Sequence, residues 1–234
     1  MSHLLPFIDL TTLSGDDSQN CVKKLCQKAI EKGVAAVCVF PTFINTCKKY
    51  LPKDFPVATV VGGFPHGQVS LEVKKLETKM AIDLGANEID MVINRSFVLS
   101  GEIDALRDEV STLANICHEH RAKLKTIIEV GELSNDDNIA LASKVALESG
   151  SDFIKTSTGK ASINANIKAA SIMVNELKAF HENNGELRGF KPAGGIKTKE
   201  QAQGYLDLMI NAFGEDRVTP ANFRIGASSL VSQL

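Results

Sequence analysis

Short β-branched runs alternate with longer segments of helical spacing along 234 residues, and no Pro-, Gly- or Ser-rich linker or internal repeat interrupts them. That pattern predicts an α/β fold, a single (β/α)8 TIM barrel spanning 1–234 as one domain, at the compact end of that fold's range. Eight strands are expected. They are FIDLT (7–11), AAVCVF (35–40), VATVV (57–61), EIDMVI (88–93), LKTIIE (124–129), DFIKTS (152–157), GFKP (189–192) and FRIGA (223–227). Between them, apolar residues recur at three or four: Val22, Leu25, Ala29; Val73, Leu76, Met80, Leu84; and Ile163, Ile167, Ala170, Val174, Leu177. Each series predicts one buried helical stripe. Ser70, Ser134 and Thr198 are the expected N-caps, Gln201 completes a capping box with Thr198, and Gly33, Gly85, Gly150 and Gly185 close helices. A doubly wound sheet would use five or six strands, and its dinucleotide-binding form would carry G-x-G-x-x-G after the first strand, which is absent here. Only seven residues follow Ala227, so the last helix is short.

Composition narrows the function classes. The chain carries 26 basic and 28 acidic side chains, a net charge of −2, with no block of like charge, which speaks against a nucleic-acid partner or an anionic membrane surface. With 44% hydrophobic residues, a chain of this length buries a core without disulfides or metals. Cys21, Cys26, Cys38, Cys47 and Cys117 are odd in number and follow no C-x-x-C spacing, which fits a reducing compartment. The opening MSHLLPFIDL has no basic segment before an apolar stretch, and no run of about 18 apolar residues occurs. A cytoplasmic protein without a membrane partner is expected.

In a barrel of this kind, polar residues at the C-terminal ends of strands line the mouth. The polar residues within apolar runs are Asp9, Thr11, Cys38, Asp90, Lys125, Glu129, Lys155, Thr156, Thr158, Lys191, Ser228 and Ser229. Three lysines on three successive strands stand out, because lysine is almost never buried unless paired and desolvation lowers its pKa. An amine attacks a carbonyl only when neutral, and a neighbouring ammonium helps to keep it so. The cluster therefore points to Schiff-base chemistry. Gly194-Gly195-Ile196-Lys197 and Gly226-Ala227-Ser228-Ser229 follow the seventh and eighth strands, the usual place of a barrel phosphate site. Glycine lets backbone N–H groups approach an anion, and a short helix from Ser228 would add its N-terminus. TSTGKAS (156–162) is no nucleotide loop, since Ile154 stands at the first glycine position and Ala161 follows Lys160. Lys160 can still reach a phosphate monoester. His118 and His120 do not share a helix face, so no metal site is expected.

The segments IDLTTL (8–13), GFPHG (63–67), NEIDMVIN (87–94), KTIIEVGEL (125–133), DFIKTSTGK (152–160), GFKPAGGIK (189–197) and FRIGASSL (223–230) resemble the deoxyribose-phosphate aldolases nearly end to end. The resemblance implies a cofactor-free class I aldolase that cleaves 2-deoxyribose 5-phosphate to glyceraldehyde 3-phosphate and acetaldehyde. It implies Lys155 as the Schiff-base lysine, Lys191 as the second lysine, Asp90 as the acid in proton transfer and Lys125 as its pairing lysine. Gly159, Lys160, Gly194, Gly195, Gly226, Ser228 and Ser229 would hold phosphate, and Thr11, Leu13, Cys38 and Thr158 would line the substrate pocket. The residues alone leave open which lysine is the nucleophile and which sugar fits, so another Schiff-base lyase or a transaldolase-like enzyme remains the alternative. Two departures stand out. Family members can carry a longer tail ending in tyrosine where this sequence stops at Leu234, which implies slower enamine protonation, and Lys197 stands where arginine is common. The expected partner is a small sugar phosphate, with the outer helices leaving room for a homodimer.

Overall fold

The computed structural model describes residues 3–234. All eight expected runs form strands: β1 (Ile8–Thr11), β2 (Ala36–Val39), β3 (Val57–Val61), β4 (Glu88–Val92), β5 (Lys123–Ile127), β6 (Phe153–Lys155), β7 (Gly189–Lys191) and β8 (Ile225–Ala227). Neighbours pair in parallel around a sheet whose order runs from β7 down to β1 and then β8. The ring closes where β7 meets β8 through bridges at Phe190–Phe223 and Ala193–Gly226, with Gly226 N donating to Pro192 O at 2.9 Å. At that bridge Gly226 must be glycine, since a Cβ there would lie 2.9 Å from the Ala193 Cβ.

The helices are α1 (Gln19–Lys32), α2 (Ile44–Tyr50), α3 (Leu71–Asp83), α4 (Arg95–Leu99), α5 (Ile103–Glu119), α6 (Asp136–Glu148), α7 (Ile167–Asn184) and α8 (Lys199–Phe213). The Thr198–Gln201 capping box forms at α8, and such a cap stabilises its helix by about 1 kcal/mol. Gly33 and Gly185 close α1 and α7 in the left-handed region. Ser134 does not cap α6. Asn135 does, its side chain accepting from Asn138 N, because Ser134 itself takes a positive φ of 69°. After β8 the chain makes only a 3-10 turn, Ser229–Ser232, in place of a closing α-helix.

Two of the expected buried stripes are corrected. On α3, Val73, Leu76, Met80 and Leu84 face outward, with Leu76 60% exposed, while Lys74, Thr78 and Ala81 face the barrel. The inward polar face is tolerated because it is paired. Lys74 Nζ donates to Val92 O at 2.8 Å and meets Glu109 at 2.7 Å, and Glu77 accepts from Gly62 N and Gly63 N. Periodicity locates a stripe but cannot say that a polar face whose charges are paired has taken the inner side. In the third series Ile163 precedes α7, and both it and Ile167 are exposed. Ala169, Ala170, Met173, Val174 and Leu177 fill the buried face.

Candidate active site

Alternation along a strand sends every second residue into the barrel, and the register brings charged positions of successive strands side by side. Asp90 pairs with Lys125 across β4 and β5, and Lys155 with Lys191 across β6 and β7. The Asp90 carboxylate is the hub. One oxygen lies 2.7 Å from Lys155 Nζ and 2.6 Å from Lys191 Nζ, and the other 3.0 Å from Lys125 Nζ. All four side chains are buried. Three ammonium neighbours hold Asp90 well below the usual carboxylate range even though burial alone would raise it.

The lysines differ in surroundings. Lys191 also meets Asp9 at 2.5 Å, and Lys125 meets Glu88 at 2.5 Å and Asp9 at 3.4 Å, so two or three carboxylates outweigh desolvation and keep both pKa values raised. Lys155 has Asp90 alone. Burial, with Lys191 beside it, outweighs that one carboxylate and lowers its pKa. Desolvation is thus the first cause of the depression, and the second lysine's charge adds to it. Lys155 is also the one of these lysines that lines the cavity at the mouth, a space of about 320 Å³.

The rest of the cavity is built by loops. Thr11 and Leu13 line it after β1, Thr158, Gly159 and Lys160 after β6, Gly194 and Gly195 after β7, and Gly226, Ser228 and Ser229 from β8 onward. Gly194 and Gly195 take φ of 86° and 79°, and a Cβ on Gly194 would strike Asn164 Oδ1 at 2.7 Å, so this turn calls for glycine. Thr158 is held by Glu129, whose carboxylate accepts from both its N–H and its hydroxyl. Glu129 therefore serves this loop and pairs with no lysine. Cys38 is buried outside the cavity lining, in an apolar cluster with Leu13, Ala58 and Val60, flanked by Phe40 and Phe64. Burial pushes its thiol pKa up.

The structure gathers the predicted site residues at one end of the barrel, with Asp90, Lys125 and Lys191 beneath the cavity. It adds Thr12, Ser14, Ile196 and Lys197 to the lining. It also adds Glu88 and Arg224 to the charged cluster, where Arg224 meets Asp9 at 2.6 Å and Glu88 at 2.9 Å. Both carried a legible signal, since Glu88 is two residues from Asp90 and Arg224 two from Gly226, on the inward phase of their segments. Among the described residues no group of three His, Cys, Asp or Glu side chains is arranged to hold a metal ion, and no helix is long and apolar enough to cross a membrane.

Comparison with known proteins agrees with this architecture. The deoxyribose-phosphate aldolases of Mus musculus and Homo sapiens are 44% and 42% identical to the chain, each match covering 97% of it and 77% of the relative. The solved structure of "QR15, an Aldolase" superposes with a TM-score of 0.83 at 29% identity, covering 100% of this chain and 96% of that one. The tetrameric deoxyribose phosphate aldolase of Aeropyrum pernix gives 0.80 at 26% identity, over 98% and 88%. The model of the DeoC/LacD family aldolases matches residues 4–230, and the chain belongs to that family of carbon–carbon lyases.

Proposed function

We propose that the protein is a class I deoxyribose-phosphate aldolase, with the whole chain as one catalytic domain and Lys155 as its nucleophile. The observation that carries this is the contrast among three buried lysines: Lys155 alone meets one carboxylate, has a lowered pKa and reaches the cavity. Its neutral amine adds to the C1 aldehyde of open-chain 2-deoxyribose 5-phosphate, and loss of water leaves an iminium. The iminium accepts the electron pair of the C2–C3 bond as the 3-hydroxyl gives up its proton. Glyceraldehyde 3-phosphate departs, the enamine is protonated at C2, and hydrolysis frees acetaldehyde and the amine. No cofactor enters these steps.

Asp90 takes and returns protons through water, and Lys191 and Lys125 remain ammoniums that fix its carboxylate. The backbone at Gly159, Gly194, Gly195 and Gly226, with Lys160, Ser228 and Ser229, receives the 5-phosphate in the cavity that Lys155 also lines. Thr11, Leu13 and Thr158 bound the carbon chain, and Cys38 packs behind Leu13. The same reading carries a cytoplasmic location in deoxyribonucleoside catabolism and a homodimer. Incubation with 2-deoxyribose 5-phosphate in EDTA tests it, by assay of both products. Equimolar acetaldehyde and glyceraldehyde 3-phosphate are expected. Release of a different aldehyde from another sugar phosphate, with none from this one, would favour a different Schiff-base lyase.

A further inference from the structure

Beneath the cavity the barrel interior holds seven ionisable groups in one connected set: Asp9, Glu88, Asp90, Lys125, Lys155, Lys191 and Arg224, all buried. They are linked in tiers. Lys155 and Lys191 share Asp90, Lys191 and Arg224 share Asp9, and Lys125 and Arg224 share Glu88. Three carboxylates therefore face four cations, one positive charge in excess of neutrality. A buried set with uncompensated charge is penalised by desolvation, so it favours the loss of one proton. Arginine does not give one up. Lys125 and Lys191 are each held by more than one carboxylate, which leaves Lys155.

We propose that Glu88 and Arg224, on the floor of the barrel and away from the cavity, are positioning residues whose charges set this count and so determine that Lys155 rests as the neutral amine. The proposal deepens, and rests on, the reading of Lys155 as the nucleophile. The groups facing the set from each element are Asp9 on β1, Cys38 on β2, Glu88 and Asp90 on β4, Lys125 on β5, Lys155 on β6, Lys191 on β7 and Arg224 at the start of the β8 segment, with half-buried Lys123 on β5 over the Phe153 ring and outside the ion-paired set. β3 contributes no titratable group, since its inward residues are Ala58 and Val60, in register with Glu88 and Asp90. Cys38, held neutral by burial, does not alter the count.

The test is the pH profile of borohydride trapping on Lys155 with acetaldehyde, a probe that carries no titrating phosphate. Arg224→Met leaves three cations against three carboxylates with Lys155 charged, so its acid limb should move up by about one pH unit. Glu88→Gln leaves four cations against two carboxylates, so its limb should move down by a similar amount. Arg224→Met combined with Glu88→Gln restores one excess cation and should return the limb close to that of the unaltered protein, although two native contacts are gone. Arg224→Lys, which keeps the charge, should leave the limb in place. Where a single variant fails to fold, the double variant carries the test, because it removes the Arg224–Glu88 pair as a unit. A merely structural role predicts falling rates with an unmoved limb, and that result overturns the inference, as does a double variant displaced like either single one. If the unaltered protein traps no acetaldehyde on Lys155, the reading of Lys155 fails, and the inference with it.

Discussion

The two walls of the barrel mouth are made of opposite chemistry. From β4 to β7 the wall is charged, with Lys125, Lys155 and Lys191 within 3.0 Å of the Asp90 carboxylate. Across β2 and β3 it is apolar, with Cys38, Ala58 and Val60 packed under Leu13 and flanked by Phe40 and Phe64, whose rings meet edge-on at 6.0 Å. Burial and charge inside the charged wall lower the pKa of Lys155 and raise those of Lys125 and Lys191. Of that apolar cluster, Leu13 reaches the cavity lining, and the rest packs behind it. Chemistry and shape are thus supplied from opposite sides, and substitutions on the two walls should differ in kind as well as in size.

The largest effect belongs to the charged wall. Lys155→Met should lower kcat by at least about a thousandfold and abolish borohydride trapping, while the thermal midpoint changes little, since a neutral amine is replaced by an apolar side chain of similar length. Asp90→Asn should cost about a hundredfold or more in kcat. It should also destabilise the fold by about 3–5 kcal/mol, because it leaves the buried Lys125 and Lys191 ammoniums short of a shared carboxylate. Asp90's folded pKa is depressed, so its stabilising contribution is present above the ordinary carboxylate range and is lost as pH falls through and below it. Acid unfolding of the unaltered protein should therefore be steeper than that of Asp90→Asn.

At the phosphate end, Lys160→Ala should raise KM about tenfold with a smaller change in kcat, the loss of a charge-assisted contact to an exposed phosphate. On the apolar wall, Phe64→Ala should reduce kcat/KM only a fewfold and leave the pH profile unmoved; a displaced acid limb would show that the two walls are coupled. The smallest effect on turnover is expected on the outer face of α3. Leu76→Glu with Met80→Lys should leave kcat unchanged, and a change in sedimentation coefficient would identify that face as the one that buries against a second copy.

The same contrast explains what was legible in the sequence. A lysine or aspartate in an apolar strand is conspicuous, so Asp90, Lys125, Lys155 and Lys191 could be singled out by composition and the period of two. Glu88 and Arg224 obey that period but lie near strand starts, where charge is usually solvated. Ala58 and Val60 are indistinguishable in sequence from the outer core, since only the strand register shows that they face into the barrel. On α3 the apolar series Val73, Leu76, Met80 and Leu84 predicted burial, yet the paired face of Lys74 and Glu77 lies inward. Spacing reports a face, and only tertiary pairing decides its direction.

The central claim is that one lysine of three is the neutral nucleophile, and peptide mapping after borohydride reduction with 2-deoxyribose 5-phosphate, repeated across pH, tests it most directly. The account predicts a single adduct on Lys155, whose rate of formation falls as pH drops through that residue's lowered pKa, with Lys125 and Lys191 unmodified throughout. An adduct on Lys191 or Lys125, or a rate that rises only where an ordinary lysine loses its proton, would contradict it.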